Sequence, residues 1–200
     1  MRAPSSLGLW LTVLQAAASS HADGSAQRPL SSAAAAAAPI AMAASNPIDK
    51  LAVALHQTGR SPPSVRATVT NNNDHPVTVL TYQSPLDPAA LALGLLAITP
   101  AGASRPLELP VVKMSRQWPP RGDALVSLDA GASASRDLVL EEPKVPADKL
   151  GEEATVVLEG KWMAVWPKAR SELSDEEIDK STQYGFSQAY KTDELAIKIG

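Results

Sequence analysis

The chain has 200 residues, enough for one domain of ordinary size or two small ones. Its net charge of −3 and its lack of a basic cluster argue against nucleic-acid binding, because contacts with phosphate need a basic surface. Cysteine is absent, which excludes disulfides and thiolate metal sites, and only 4% of the residues are aromatic, which predicts a mainly aliphatic core.

The first 22 residues have the pattern of a secretory signal peptide. Arg2 supplies a positive charge, residues 7–18 form an apolar stretch, and the small residues Ser20 and Ala22 suit cleavage before Asp23. The apolar stretch is too short to span a bilayer stably, and no other window reaches about 18 apolar residues. The sequence therefore predicts a secreted protein without stable membrane insertion.

Residues 23–46 are rich in Ala, Ser and Pro and include a run of alanines at residues 33–38. Alanine favours helix intrinsically, but this run is short and Pro29 and Pro39 flank it. We therefore interpret residues 23–46 as a disordered leader and residues 47–200 as one folded domain.

Alternating apolar residues predict the strands of the folded domain. The first two are residues 51–56 and 64–70, and the turn-rich residues 71–76 predict a hairpin to a third strand at residues 77–82. An apolar run at residues 91–98 lacks a clear period and fits either a strand or a short helix. Further strands are predicted at residues 95–99, 107–111, 125–129, 136–141, 154–166 and 194–199.

Two of these segments carry additional information. Pro106 and Pro110 make residues 107–111 an edge strand, because proline cannot donate to a ladder. In residues 154–166, side chains on one face include Trp162 and Trp166, which we place in the core; an exposed aromatic row is the alternative.

The sequence from Ser174 to Glu177 is a capping box and predicts a short helix near residues 174–181. Strands of this length, separated by turns about every dozen residues, are typical of a sandwich. The predicted fold class is therefore all-β: an immunoglobulin-like antiparallel β-sandwich of about 7–9 strands with this one short helix.

Several segments resemble the propeptide domain of deuterolysins, the secreted zinc metalloproteases of fungi. The segments are residues 51–55, 65–71, 77–80, 128–132 and, as the most suggestive, 191–200. The resemblance covers residues 46–200 and implies a module that covers, folds or inhibits a protease. The His-Glu-x-x-His motif of the catalytic domain does not occur in the sequence, so no proteolytic activity is implied.

The sequence offers no convincing reaction centre. His56 and His75 lack a carboxylate at a spacing diagnostic of a metal site, and we expect His56 to face solvent and His75 to shape a turn. No Gly-x-Ser-x-Gly motif occurs, and the acidic residues 175–179 fit a solvated helix start. We therefore predict a non-enzymatic protein with no cofactor and no metal.

Trp118, Arg121 and Tyr82 are the candidate partner-binding residues. Trp118 lies in a predicted loop, and flat aromatic rings offer large contact areas. The tripeptide Arg121-Gly122-Asp123 spells an integrin-binding motif, but we interpret it as a turn before a strand.

The sequence thus predicts a secreted binding module. Its partner would be a protein, such as a secreted metalloprotease that it inhibits or helps to fold in trans. The interface is expected at the edge formed by residues 106–113 and at the loop that carries Trp118. The alternative is a protein associated with a cell wall or a host surface, which binds polysaccharide or a protein there.

Overall fold

Nine strands in two antiparallel sheets provide most of the regular structure in residues 45–200, the range that the computed structural model describes. The predicted signal peptide (residues 1–22) and all but the last two residues of the predicted leader (23–46) lie outside this range. In chain order the strands are β1 (Leu51–Arg60), β2 (Pro63–Asn71), β3 (Val77–Leu80), β4 (Leu96–Pro100), β5 (Leu125–Leu128), β6 (Ser133–Val139), β7 (Glu153–Trp166), β8 (Phe186–Lys191) and β9 (Leu195–Lys198).

The smaller sheet contains β1, β2 and β6, with β2 in the middle. β1 and β2 form a hairpin that closes with Arg60 opposite Pro63. Val65, Ala67 and Val69 of β2 are fully buried, whereas the residues between them point to the other face. Side chains alternate between the two faces of a strand, so this period of two directs one face of the sheet towards the core.

The larger sheet is organised around β7, the longest strand among the nine. The first half of β7 pairs with β4 and β9, and its second half pairs with β3 and β8. β5 pairs with β3 and extends the sheet. All of these pairings are antiparallel, which confirms the predicted β-sandwich.

The hairpin predicted across residues 71–76 is wrong. β2 and β3 lie in different sheets, and the residues between them carry the chain from one sheet to the other. The buried side chain of Asn71 supports this crossing, because its Nδ2 donates to the carbonyl oxygens of His75 at 2.9 Å and Leu128 at 3.0 Å. Turn-forming residues predict that the chain turns here, but they do not specify which strand it pairs with afterwards.

The edge strand predicted at residues 107–111 is also wrong, because this segment forms no regular ladder. The amide of Leu107 donates to the carbonyl oxygen of Ile98 in β4 at 2.8 Å, as in a sheet. Pro106 and Pro110 have no N–H group, so the series of donors that a ladder requires is interrupted.

β8 has no counterpart among the predicted strands. Only Phe186 and Tyr190 of its six residues are partly buried, so its hydrophobic alternation is too sparse to indicate a strand. It forms a strand because it pairs antiparallel with β7, from Glu159 to Val165.

Two short helices follow β7: α1 (Asp175–Asp179) and α2 (Ser181–Tyr184). The hydroxyl of Ser174 accepts a hydrogen bond from the amide of Glu177 at 3.2 Å, and the carboxylate of Glu177 accepts one from the amide of Ser174 at 3.0 Å. This capping box confirms the short helix predicted near residues 174–181. Short 3-10 turns occur at Pro47–Lys50, Gly122–Ala124, Ala147–Lys149 and Arg170–Glu172.

The main core lies between the two sheets and contains Trp162 of β7. Trp162 belongs to one apolar cluster with Val69 of β2 and Val79 of β3, so side chains from the two sheets meet there. Its ring also contacts the ring of Tyr190, with 5.3 Å between the centroids.

Trp162 and Trp166 are each 1% exposed, but only Trp162 has the predicted position in the sandwich core. Trp166 packs instead in a second cluster with Leu173 and with Ile178 of α1, to which no strand of the smaller sheet contributes. The register shift of β7 between Trp162 and Val165 accounts for the difference, because a bulge changes the face to which the following side chains point.

Gly160 in β7 allows the chain after β3 to approach the sheet closely. A Cβ atom at this position would lie 2.7 Å from the carbonyl oxygen of Gln83 and 2.8 Å from Oη of Tyr190. The hydroxyl of Tyr190 donates to that same carbonyl oxygen at 3.0 Å. Burial raises the pKa of Tyr190, so the hydroxyl keeps its proton and remains a donor.

We expect Gly160→Ala to lower the free energy of unfolding by about 1–3 kcal/mol, the usual cost of overpacking. The added methyl group would meet a backbone oxygen, which cannot rotate away as the end of a flexible side chain can. Urea unfolding followed by circular dichroism measures the change. Gly122→Ala is the matched control, because no atom lies within 4 Å of a Cβ added there. A Gly160→Ala protein as stable as the wild type would contradict this close approach.

Candidate functional site: two grooves beside an exposed loop

One loop, residues 106–121, carries four of the seven large hydrophobic side chains that are exposed within residues 45–200. They are Val111, Val112, Met114 and Trp118. Exposed hydrophobic residues that occur singly are normal on a protein surface, whereas a concentration of them marks an interaction site. This loop is therefore the candidate interaction surface of the described residues.

A buried ion pair between Asp87 and Arg116 fastens the loop to the sandwich. Nη2 of Arg116 lies 2.8 Å from Oδ1 and 2.6 Å from Oδ2 of Asp87, whose side chain is fully buried. The same carboxylate accepts hydrogen bonds from the amides of Gln83 at 2.7 Å and Ala89 at 2.9 Å. These hydrogen bonds replace the water that the carboxylate lost on burial.

Tyr82, one of the three candidate partner-binding residues, lies beneath the loop and is only 9% exposed. The guanidinium of Arg116 lies over its ring, 4.8 Å from the centroid, in a cation–π contact. Its hydroxyl donates to the carbonyl oxygen of Gln117 at 3.3 Å. The structure thus shows Tyr82 supporting the loop, and its contact with a partner stays a prediction.

Three arginines line a groove of about 480 Å³, which we call the arginine groove. Arg116 and Arg121 come from the loop, and Arg136 comes from β6, where it is exposed but lies on the same face as the buried Leu138. Nε of Arg136 donates to the carbonyl oxygen of Leu86 at 3.3 Å. The other lining residues are Thr81, Tyr82, Pro88, Met114, Ser115, Gln117, Asp123 and Ala124.

The charges of this groove are only partly compensated. Arg116 is paired with Asp87, but Arg121 and Arg136 form no ion pair with any residue in the described range. Arg121 is oriented by Gln117, whose side-chain oxygen, with the amide turned to suit its neighbours, accepts from Nε at 2.6 Å and Nη2 at 3.1 Å. The groove therefore presents guanidinium groups that are held in place and open to an anion.

Trp118 and Arg121, the other two candidate residues, line a second groove of about 430 Å³, the Trp118 groove. Trp118 is 45% exposed, and its Nε1 donates to the carbonyl oxygen of Asp179 at the end of α1, at 3.1 Å. Arg121 and Gln117 belong to both grooves, so the two lie side by side. The remaining lining residues are Pro119, Pro120, Arg170, Asp175 and Ile178.

An ion pair holds α1, which supplies the carbonyl group bound by Trp118. Nζ of Lys168 lies 2.5 Å from Oε1 of Glu177. The hydrogen bond from Lys168, followed by the one from the backbone of Ser174, lowers the pKa of Glu177 to about 2. Glu177 therefore remains ionised, and α1 remains tethered, well below the ordinary pKa of a glutamate.

The tripeptide Arg121-Gly122-Asp123 lies where the loop ends. Gly122–Ala124 forms a 3-10 turn, and β5 begins at the next residue, Leu125. This arrangement confirms the interpretation of the tripeptide as a turn before a strand.

The two histidines of the described range lie where the sequence predicted them. His56 is exposed on the outer face of β1, and His75 lies in the loop after β2, with its Nδ1 2.8 Å from Oδ1 of Asp74. Over residues 45–200, no three His, Asp or Glu side chains form a group that could hold a metal ion. In the same range, no helix is both long and apolar enough to cross a bilayer.

Asp87, Arg116 and Arg136 are the site residues that sequence reasoning missed. Asp87 lies in an irregular, proline-containing segment, and nothing in its neighbours shows that it will be buried. Arg136 could have been noticed in the sequence. It lies on the same face of β6 as Leu138, where the alternation predicts an apolar residue.

The fold is a two-sheet β-sandwich, and one of its loops carries a concentration of exposed hydrophobic side chains. The chain belongs to an immunoglobulin-like domain family, whose match covers residues 50–199. A protein of Arthroderma benhamiae, named "Uncharacterized secreted protein", is 32% identical over 114 residues. That match covers 56% of this chain and 57% of the relative, so the chain matches little more than half of the relative's length. Neither match bears on deuterolysin propeptides, and that resemblance stays a prediction.

Replacing Asp87 by alanine removes the counter-charge of a largely buried guanidinium. We expect the free energy of unfolding to fall by about 3–5 kcal/mol, as is typical when one partner of a buried ion pair is removed. Asp137→Ala is the control, because Asp137 pairs with Arg66 on an exposed face, where ion pairs contribute little. Chemical denaturation at neutral pH compares the two variants with the wild type. Equal unfolding midpoints for Asp87→Ala and Asp137→Ala would contradict the role assigned to Asp87.

The lowered pKa of Glu177 predicts that the free energy of unfolding decreases in acid. Its pKa in the folded protein, about 2, lies below the ordinary value of 4.5, so the ionised carboxylate stabilises the fold above about pH 4.5. That contribution is lost as the pH falls from about 4.5 towards 2, and the wild type should lose stability more steeply there than Glu177→Gln. Urea midpoints measured across this range test the expectation, with Glu176→Gln as the control for removal of an exposed carboxylate from α1. Parallel pH profiles for the wild type and Glu177→Gln would contradict it.

Proposed function

We propose that this protein is a secreted, non-catalytic binding module that recognises a protein partner through the 106–121 loop. The observation that carries the proposal is the concentration of exposed apolar side chains, together with Trp118 and Arg121, on a loop fastened by a buried ion pair. The printed name of the A. benhamiae relative supports secretion, as does the predicted signal peptide at residues 1–22.

Trp118 is well suited to be the centre of such an interface. Its hydrogen bond to the carbonyl oxygen of Asp179 fixes the indole while nearly half of the side chain remains exposed. A side chain that is already fixed loses little conformational entropy when a partner binds. Tryptophan and arginine are also the residues that most often dominate the energy of an interface, and Arg121 lies in the same groove.

The arginine groove favours binding over proton transfer. A guanidinium group offers only hydrogen-bond donors and no acceptor, so Arg116, Arg121 and Arg136 cannot take a proton from a substrate as a general base must. They donate hydrogen bonds to a bound group instead. We therefore propose binding without reaction at this groove.

The finer form of the proposal takes the partner to be a secreted zinc metalloprotease, as the resemblance to deuterolysin propeptides implies. The module would then inhibit the protease or help it to fold in trans. Mixing the purified protein with secreted zinc metalloproteases tests this form, with protease activity and maturation yield as readouts. Unchanged activity and unchanged yield would remove the protease as partner.

The half-exposed ring of Trp118 also favours a second candidate, binding to polysaccharide, because a flat ring beside a groove offers a large contact area. A pelleting assay with insoluble chitin, glucan and cellulose separates the two candidates. Binding to a protein partner predicts that the module stays in the supernatant, whereas binding to polysaccharide predicts that it pellets.

We expect Trp118→Ala to weaken binding to the protein partner strongly without unfolding the protein. Hot-spot residues contribute about 2 kcal/mol or more, so affinity should fall by about 30-fold or more. Affinity capture from the medium of the producing cells, with mass spectrometry of the captured proteins, measures the loss. Tyr184→Ala is the matched control, because Tyr184 is an equally exposed aromatic residue that lines neither groove. Captured proteins that are the same for Trp118→Ala and the wild type would overturn the proposal.

A further inference from the structure

We infer that the arginine groove binds an aspartate or glutamate side chain of an extended acidic segment in the partner protein. The inference rests on the proposed function, in that it names the chemistry of the partner. It is drawn from the convergence of three guanidinium groups on one groove, beside backbone amides that lack acceptors within the described chain.

The guanidinium groups retain donors for a ligand. Arg116 uses only Nη2 to bind Asp87, and Arg136 uses only Nε to bind the carbonyl oxygen of Leu86. The other nitrogens of these two side chains donate to no protein group in residues 45–200. A guanidinium presents its N–H groups as a planar fork that matches the two oxygens of a carboxylate.

The local charge also favours an anion. Three arginines line the groove, and two carboxylates, the buried Asp87 and the lining Asp123, offset two of their charges. One positive charge remains, in a protein whose overall charge is −3. An acidic ligand is therefore attracted to this groove although the protein as a whole repels it.

The backbone beside the groove indicates a peptide rather than a sugar acid. The amides of residues 113–116 donate to no protein acceptor in the described range, and Met114, Ser115 and Arg116 line the groove itself. An extended peptide can accept hydrogen bonds from alternate amides of this segment with its own carbonyl groups, as in β-strand addition. Its apolar side chains would then contact the exposed Val112 and Met114, and one carboxylate would enter the groove.

The groove has the size that this occupant needs. A volume of about 480 Å³ lies within the range of ordinary ligand sites and accepts one acidic side chain with part of its backbone. The expected recognition sequence therefore alternates apolar and acidic residues, because alternate side chains of an extended peptide point the same way.

Fluorescence anisotropy with short labelled peptides tests the inference on the full secreted protein. One peptide alternates valine and aspartate, and the other replaces each aspartate by asparagine. We expect the aspartate peptide to bind about tenfold tighter or more, as hydrogen bonds to a charged group allow, and its affinity to fall as salt is added. Equal affinities for the two peptides would overturn the inference, and this comparison needs no variant to fold.

Variants of two groove arginines test whether the aspartate peptide binds at the arginine groove. Arg136→Gln and Arg121→Gln should each weaken binding of the aspartate peptide about tenfold or more. Arg105→Gln is the matched control, because it removes one positive charge from an exposed residue that lines neither groove. An equal loss in Arg105→Gln would show general electrostatic attraction and overturn the inference. Polygalacturonate that binds through the same arginines while the aspartate peptide does not would overturn it as well.

Failure of this inference is distinguishable from failure of the proposed function. If Trp118→Ala loses the partner but Arg136→Gln still captures it, recognition of an acidic segment at the arginine groove is refuted. The proposed function as a binding module is then retained. If the wild type captures no protein yet binds the aspartate peptide through Arg121 and Arg136, the groove chemistry stands and the proposed function fails.

Discussion

The close approach of the chain after β3 to the central strand β7 is the constraint on which the rest of the structure depends. β7 pairs with four other strands and contributes two buried tryptophans, one to each of two apolar clusters. Because Gly160 has no side chain, the carbonyl oxygen of Gln83 can lie against β7, where it accepts a hydrogen bond from Tyr190. The amide of Gln83 in turn donates to Asp87, which holds Arg116. A continuous series of contacts thus connects the centre of the larger sheet to the exposed loop.

This connection gives the proposed binding surface a rigid support, although the loop itself is irregular. The 106–121 loop has no ladder of its own, yet Asp87 fixes Arg116, and the carbonyl oxygen of Asp179 fixes Trp118. Side chains fixed before binding lose less entropy when a partner arrives, which is the advantage of a rigid sandwich as support. The two grooves share Arg121, so the proposed partner needs no second surface to contact both Trp118 and the arginine groove. Apolar contact and charge recognition are therefore adjacent on one surface.

Much of the sandwich could be predicted from the sequence, because a half-buried strand alternates apolar and polar residues, as β1, β2 and β7 do. Pairing could not be predicted, since it depends on residues far apart in the chain; β8 and the crossing at residues 71–76 show this. The same limit applies to the site. Trp118 and Arg121 could be chosen as a scarce aromatic residue and a charged loop residue. The role of Asp87 depends on an arginine 29 residues later, and no local pattern reports such a pair.

The central claim is that the loop is a fixed surface and that its backbone amides donate hydrogen bonds to an extended segment of the partner. Amide hydrogen exchange of the full secreted protein, with and without the aspartate peptide, tests it most directly. Our account predicts slow exchange at the paired residues of β7 in both states. It predicts fast exchange at residues 113–116 in the free protein, and slow exchange at alternate residues of this segment when the peptide binds. Protection of residues 113–116 in the free protein, or exchange there that is unchanged by a bound peptide, would contradict the account.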